Sequence, residues 1–261
     1  MTLLAFIVVA AFLLGSVFLF RAFISWGARW GATAAECAAA MSGDAYLEGG
    51  PPARVVMTRA ISLKQPPEGV WPWLAQLGRG AGWYSYDLID NGNKASARHL
   101  VSWIPEPQLG DASAIGYLRH LEPGRELVWW LGGEEFLGAK ARMVIDILVT
   151  PEEGGARLVI RISGDAAGPL ARLAVGVFQM MDSIMARGQL LGLKERVEKY
   201  GVRTVDPENP ENGRPDQYQF YETIYASGQT AGVPGREKAS QWRQMALADK
   251  VLPDTEAERQ G

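Results

Sequence analysis

"ARMVIDILVTPEEGGARLVIRIS", residues 141–163, decides the fold. In its first half Met143, Ile145, Ile147 and Val149 oppose Arg142, Asp146 and Thr150. In its second half Leu158, Ile160 and Ile162 oppose Arg157, Arg161 and Ser163. A period of two sustained this long marks a strand with one apolar and one polar face. "PEEGG" between the halves supplies a turn, so the two runs predict an antiparallel pair with one face on a core and one in water. "IGYLRHL" (115–121) and "RELVWWL" (125–131), joined at "EPG", extend the sheet upstream. Glu134 and Glu135, after Gly132 and Gly133, read as a solvated hairpin loop. Trp129 and Trp130 are adjacent on a strand and must point to opposite faces.

Downstream the period changes. Pro169 can open a long helix running to about Tyr200. Leu170, Leu173, Ala174, Val177, Phe178, Met181, Ile184, Met185 and Leu191 recur at helical spacing. Gly176, Gly188 and Gly192 would let it lie close to its neighbours, and Met180, Met181 and Met185 suit an adaptable cavity wall. Upstream, "ARVVMTRAISL" (53–63) reads as another strand. A short helix follows in "PPEGVWPWLAQLG" (66–78), with Val70, Trp73, Leu74 and Leu77 on one face and Gly78 as its C-cap. "GWYSYDLIDN" (82–91) then begins a second short helix or loop.

Outside this core, Leu3 to Phe20 is an uncharged run of 18 residues. As a helix it would reach roughly 27 Å, close to the hydrocarbon thickness of a bilayer. Phe23, Ile24, Trp26 and Trp30 extend it with residues suited to the interface. A single-pass anchor contacting the membrane through residues 3–24 is expected; a cleaved signal peptide is the alternative. Arg21 and Arg29 follow the span, placing the globular part on the cytoplasmic side of the inner membrane. Residues 31–53, rich in Gly and Pro, read as a linker, and the domain proper as 54–202. The extension 203–261 reads as partly extended or disordered with one helix in "GREKASQWRQMALADKVL", or as a docking arm for a membrane-complex partner.

The 261 residues carry a net charge of −3 with the signs interspersed, which excludes the basic surface a nucleic-acid binder needs. Cys37 is the single cysteine, so neither an intramolecular disulfide nor a cysteine zinc cluster is available. Two histidines, His99 and His120, argue against a multi-histidine metal site. "GRGAG" (78–82) lacks the strand-then-helix context of a dinucleotide motif, and no P-loop is present, so no cofactor is expected.

Three segments carry a family resemblance: "RAISLKQPPEGVWPWLAQLGRGAGWYSYDLIDN" (59–91), "PEPQLGD" (105–111) and "RGQLLGLKERVE" (187–198). Over about residues 54–200 the chain resembles the START-like (SRPBCC) superfamily, most closely a membrane-anchored bacterial subgroup. The resemblance implies an α+β helix-grip fold, in which a curved antiparallel sheet grips the long C-terminal helix around an apolar cavity. Many relatives hold sterols, lipids, hormones or polyketide intermediates there, and others are hydrolases, cyclases or dehydratases. Fold alone does not choose among these.

A catalyst would need a positioned acid or base. Asp87, with Asp90 three residues on, and Tyr84 are the catalytic candidates; the competing reading makes the aspartates a cap or turn. His99 and His120 lack a partner spacing, and Ser85 lies in no G-x-S-x-G elbow. The aromatics favour a ligand wall, with Trp83, Tyr84, Tyr86, Trp129, Phe178, Met181 and Met185 as its expected members. The expected function is therefore a membrane-tethered binding or carrier domain for a hydrophobic small molecule or lipid. A polyketide cyclase or dehydratase-like enzyme and an accessory subunit of a membrane complex are the alternatives.

Overall fold

Alternation along 141–163 becomes a long hairpin. The computed structural model describes residues 2–48, 55–91, 95–102, 104–113, 116–136, 139–166 and 168–205. The tail from 206 onward, Trp103 and the side chains of Glu134 and Glu135 lie outside the described residues. Strands β1 (Val55–Leu63), β2 (Leu100–Val101), β3 (Ala112–Ser113), β4 (Gly116–Glu122), β5 (Glu126–Phe136), β6 (Ala139–Glu152), β7 (Gly155–Ala166) and β8 (Thr204–Val205) follow in chain order. Six of them form one antiparallel sheet in the order β1-β7-β6-β5-β4-β3, while β2 and β8 pair in parallel. In the β6–β7 hairpin Ile145 faces Ile162 and Ile147 faces Ile160, which sums the apolar phases on one side. β5 runs on through Glu134 and Glu135 to Phe136, pairing with Lys140 and Ala141 of β6, so these residues are strand and not a loop. Register shifts at Leu118/His120 and Gly132/Glu134 are the bulges that let a twisted sheet bend.

Four of the five helices, α1 (Thr2–Ala28), α3 (Pro67–Gln76), α4 (Asp87–Asp90) and α5 (Pro169–Tyr200), accompany this sheet. Pro67 stands at the helix start, where its missing N–H is harmless, and α3 buries Val70, Trp73 and Leu74 completely or nearly so. Trp73 donates its ring N–H to the carbonyl of Gly201, 3.0 Å away, tying α3 to the end of α5. The C-terminal half of α5 drives Leu190, Leu193 and Val197 into the same core as Met57, Leu127, Trp129 and Leu158. The fold is thus α+β, with a sheet gripping its long C-terminal helix.

α1 contains a stretch, Ala5–Ala28, long and apolar enough to cross a membrane, and its most apolar 18 residues are not buried in the protein. Its last turn nevertheless belongs to the domain. Gly27 lies so close to Ser183 of α5 that a Cβ there would collide with it. The Gly27 carbonyl accepts from Arg59 Nε at 2.7 Å, and Ala60 N–H donates to the Trp30 carbonyl at 3.1 Å. Residues 27–30 thereby cover the edge strand β1, which would otherwise present unpaired backbone.

The remaining helix changes the reading of the polar face. Composition made residues 31–53 a linker, yet α2 (Ala34–Ala38) and a 3-10 turn (Ser42–Leu47) strap themselves across the outer face of the sheet. Arg157 forks onto the Glu36 carboxylate at 2.7 and 2.9 Å. That contact holds the Glu36 carboxyl down at about 2. Arg161 donates to the carbonyls of Glu36, Cys37 and Ala39, and to Thr58. Asp146 accepts the Gly43 N–H, and Glu126 accepts the Ser42 hydroxyl. Asp146 and Arg161 are buried, so the part of this face under the strap is covered and not wet. Trp129 points into the grip and Trp130 outward against Tyr46, as adjacency on a strand requires.

Candidate functional site

Between the sheet and the N-terminal half of α5 lies a cleft lined by Val55, Met143, Ile162, Val175 and Phe178 and bordered by Arg142, Gly164 and Asp165. β1, β6 and β7 supply its floor because their inward phase is apolar to the ends of the strands. Gly164 belongs there for packing reasons, since a Cβ would press on the backbone of Arg142. The cavity volume is about 20 Å³, room for one or two water-sized groups and far below the roughly 300–1,000 Å³ of small-molecule sites. Its roof is lightly held. Gly176 has no neighbour within 4 Å of where a Cβ would sit, and Gly168, at φ +88°, gives the helix a joint just before its start.

Of the expected ligand-wall residues, Phe178 lines this cleft and the others do not. Trp129 is buried in the dry core. Trp83 is half-buried and covers Gly78, where a side chain would strike its ring. Met181 is 44% exposed and Tyr86 43%, both on the outside. Met185 is half-buried, its carbonyl accepting from Ser85 Oγ at 2.8 Å. These side chains do not converge on one cavity.

Tyr84 and Asp87 form a folding device. Tyr84 is buried at φ +60°, a conformation costly for a non-glycine residue, and its surroundings determine it. Its N–H donates to Ser96 Oγ at 3.1 Å, its ring stands edge-on to Trp73, and the Arg196 guanidinium lies 4.8 Å above it. Gly192 of α5 touches the Tyr84 carbonyl so closely that only glycine fits. Asp87 accepts from Ser96 with both oxygens, from the hydroxyl at 2.5 Å and from the N–H at 3.0 Å. A carboxylate so occupied orders the loop 84–96 and is poorly placed to take a proton from a substrate. Burial pushes the neighbouring Asp90 carboxyl upward. His99 is buried edge-on against Tyr200 at 4.9 Å.

Two charged groups that pattern reading passed over lie inside the grip. Arg59 on β1 is 1% exposed, and its Nη1 sits 2.6 Å from Asp182 Oδ2 on α5. Burial raises the Asp182 carboxyl more than Arg59 lowers it. The signal was present: Arg59 occupies the inward phase of Val55, Met57, Ile61 and Leu63, where a charge is unexpected unless it is paired. On the outer face, His120 approaches Glu126 at 3.5 Å, and with Glu122 it forms a group whose ligand atoms lie within 4.8 Å of one another. These residues could hold a divalent cation, but Glu126 already accepts from Ser42 and Glu122 from Arg125.

No protein-family profile matches the chain, and no curated protein does. Among solved structures, a protein of Mesorhizobium loti is 17% identical with a TM-score of 0.35, covering 55% of this chain and 96% of its own. An AHSA1-like protein of Rhizobium etli is 18% identical with a TM-score of 0.32, covering 61% of this chain and 90% of its own. DynU16, a protein of the dynemicin biosynthetic locus, is 16% identical with a TM-score of 0.34. The alignment to it covers 56% of this chain and 48% of DynU16. The helix-grip assignment rests on the strand order and on α5 themselves.

Proposed function

We propose that this chain is a membrane-tethered binding or carrier domain that takes up a hydrophobic small molecule or lipid between its sheet and α5. One observation carries the reading. The cleft of Val55, Met143, Ile162, Val175 and Phe178 lies under the half of α5 whose Val175 and Phe178 pack only partly buried against the core. An apolar lining selects an apolar ligand. The small volume requires that the first turns of α5 rise for entry, with the chain giving way at Gly168, while Leu190, Leu193 and Val197 stay seated. α1, long and apolar enough to span a bilayer, keeps that opening beside its source of ligand.

The test is native mass spectrometry of the full chain released from lipid nanodiscs, with organic extraction of what it retains. The full chain is required because Gly27 and Trp30 are part of the domain's packing. The expected result is one retained apolar molecule per chain, lost when Val175→Trp or Phe178→Trp fills the cleft. A chain that retains nothing from any lipid composition, with both variants indistinguishable from the parent, overturns the proposal.

A further inference from the structure

The outward side of α5 carries Leu170, Leu173, Val177, Met180, Met181 and Ile184, between 39% and 80% exposed. At ~100° per residue these six positions fall within an arc of roughly 100°, on the side away from Val175 and Phe178. Just past the C-terminal end of this arc the Tyr86 ring lies against Gly188, and Leu88, two residues on in the chain, is 74% exposed. An exposed apolar surface this continuous marks an interaction site rather than ordinary surface.

What covers it follows from α1. Gly27, in the last turn of α1, meets Ser183, and Trp30, two residues beyond α1, lies under the Arg187 guanidinium at 5.5 Å. The chain leaving α1 therefore advances toward the C-terminal end of α5 over this contact. Toward their N-termini the two helices part: Phe20 of α1 is 51% exposed, and Gly176 of α5 has no neighbour within 4 Å. The gap is a wedge, apolar on both sides, opening in the direction in which α1 runs as an apolar rod. Arg187 and Trp30 mark its closed end, a pairing suited to the headgroup level. Leu170 lies thirteen residues before Ser183, about 20 Å of helix.

We infer that the N-terminal half of α5 is itself a lipid-contacting element: Leu170, Leu173 and Val177 enter the acyl layer beside α1, with Met180, Met181 and Ile184 at the interface. This deepens the proposed function and rests on it for the spanning role of α1. The same turns that roof the cleft are then solvated by lipid on their outer side. Lifting them exposes the cleft to acyl chains and not to water, so an apolar ligand enters without crossing an aqueous gap.

The test uses the full chain in vesicles of phosphatidylcholine and phosphatidylglycerol. Single cysteines are placed by Leu173→Cys, Val177→Cys, Phe12→Cys and Val202→Cys in a Cys37→Ser background and labelled with NBD. Quenching is read with lipids carrying a doxyl group midway along the acyl chain. The expected result is blue-shifted emission at 173 and 177, quenched to an extent comparable with 12 and several-fold more than 202. Strong quenching at 12 with none at 173 and 177 overturns this inference and leaves the tether standing. No quenching at 12 overturns both. Doxyl-insensitive labels at 173 and 177, where the unlabelled cysteines join between copies through a bis-maleimide or where the labels become solvent-exposed on truncation after 205, give the face to a second copy or to the tail, and overturn the inference as well.

Discussion

Asp146 is the residue whose protonation the strap makes visible. Its carboxyl is 1% exposed and accepts the Gly43 N–H at 3.0 Å. Burial, seconded by the Glu126 and Asp44 carboxylates, raises it from the ordinary 3.8 to about 7, against the pull of Gly43 and Arg161. An acid held above its unfolded value favours the folded state when protonated. Stability from this group is therefore fully present below about pH 4, falls as pH rises toward 7, and is lost above it. A difference of about three pH units at ~1.4 kcal/mol each gives a loss of about 4 kcal/mol by pH 8. Asp146→Asn keeps an acceptor for Gly43 and removes the charge. The variant should match the parent near pH 4 and exceed it at pH 8, by about 8–16 °C in Tm if the whole 4 kcal/mol is recovered in a domain of this size. The assay is intrinsic tryptophan fluorescence of the detergent-solubilised full chain, melted across that pH range. A variant less stable than the parent at pH 8 would refute the reasoning, because the charged pair with Arg161 would then stabilise the fold on balance.

Two further perturbations separate folding roles from chemistry. Arg59→Met leaves Asp182 buried without its partner and should cost about 3–5 kcal/mol, with most of it recovered in Arg59→Met/Asp182→Leu. Melting of the single and double variants checks this, and equal losses would show that the pair is not coupled. Asp87→Asn weakens two hydrogen bonds from Ser96 and should cost about 1–3 kcal/mol. A melting temperature unchanged by this substitution would remove the ordering role assigned to Asp87.

The sheet and the long helix were legible because periods of two and 3.6 are imposed by backbone geometry and survive any context. The strap was not. Arg157, Arg161 and Asp146 look solvent-facing in an alternating strand, and nothing local to residues 141–163 says that Glu36, Gly43 and Asp44, a hundred or more positions earlier, will cover them. Glycine and proline between 43 and 52 suggested slack, whereas Gly43 sits under Asp146 and Val144 with no space for a side chain. The candidate site was illegible for a similar reason. Trp83, Tyr84 and Trp129 are large and aromatic whether they wall a cavity or fill a core, and composition is silent on that difference. Ser96 binds both Tyr84 and Asp87 and orders them, an arrangement that spans a loop and has no spacing rule.

The helix α5 shows where periodicity stops being informative. Its first half is apolar on two sides, so Val175 and Phe178 and the arc of Leu170, Leu173 and Val177 fit the sheet equally well by spacing. The tie is broken by one charge. Asp182 shares its phase with Val175, Phe178 and Ala186, and it must reach Arg59 because neither can be buried alone. That contact fixes the rotation of the helix, and Gly27 against Ser183 fixes how α1 approaches it. The second apolar arc is then turned outward by the same ion pair, which is why the cleft and the exposed stripe occupy opposite sides of the same four turns. A sequence reader who asks which apolar arc contains the aspartate, and which strand offers an arginine in its inward phase, recovers both faces.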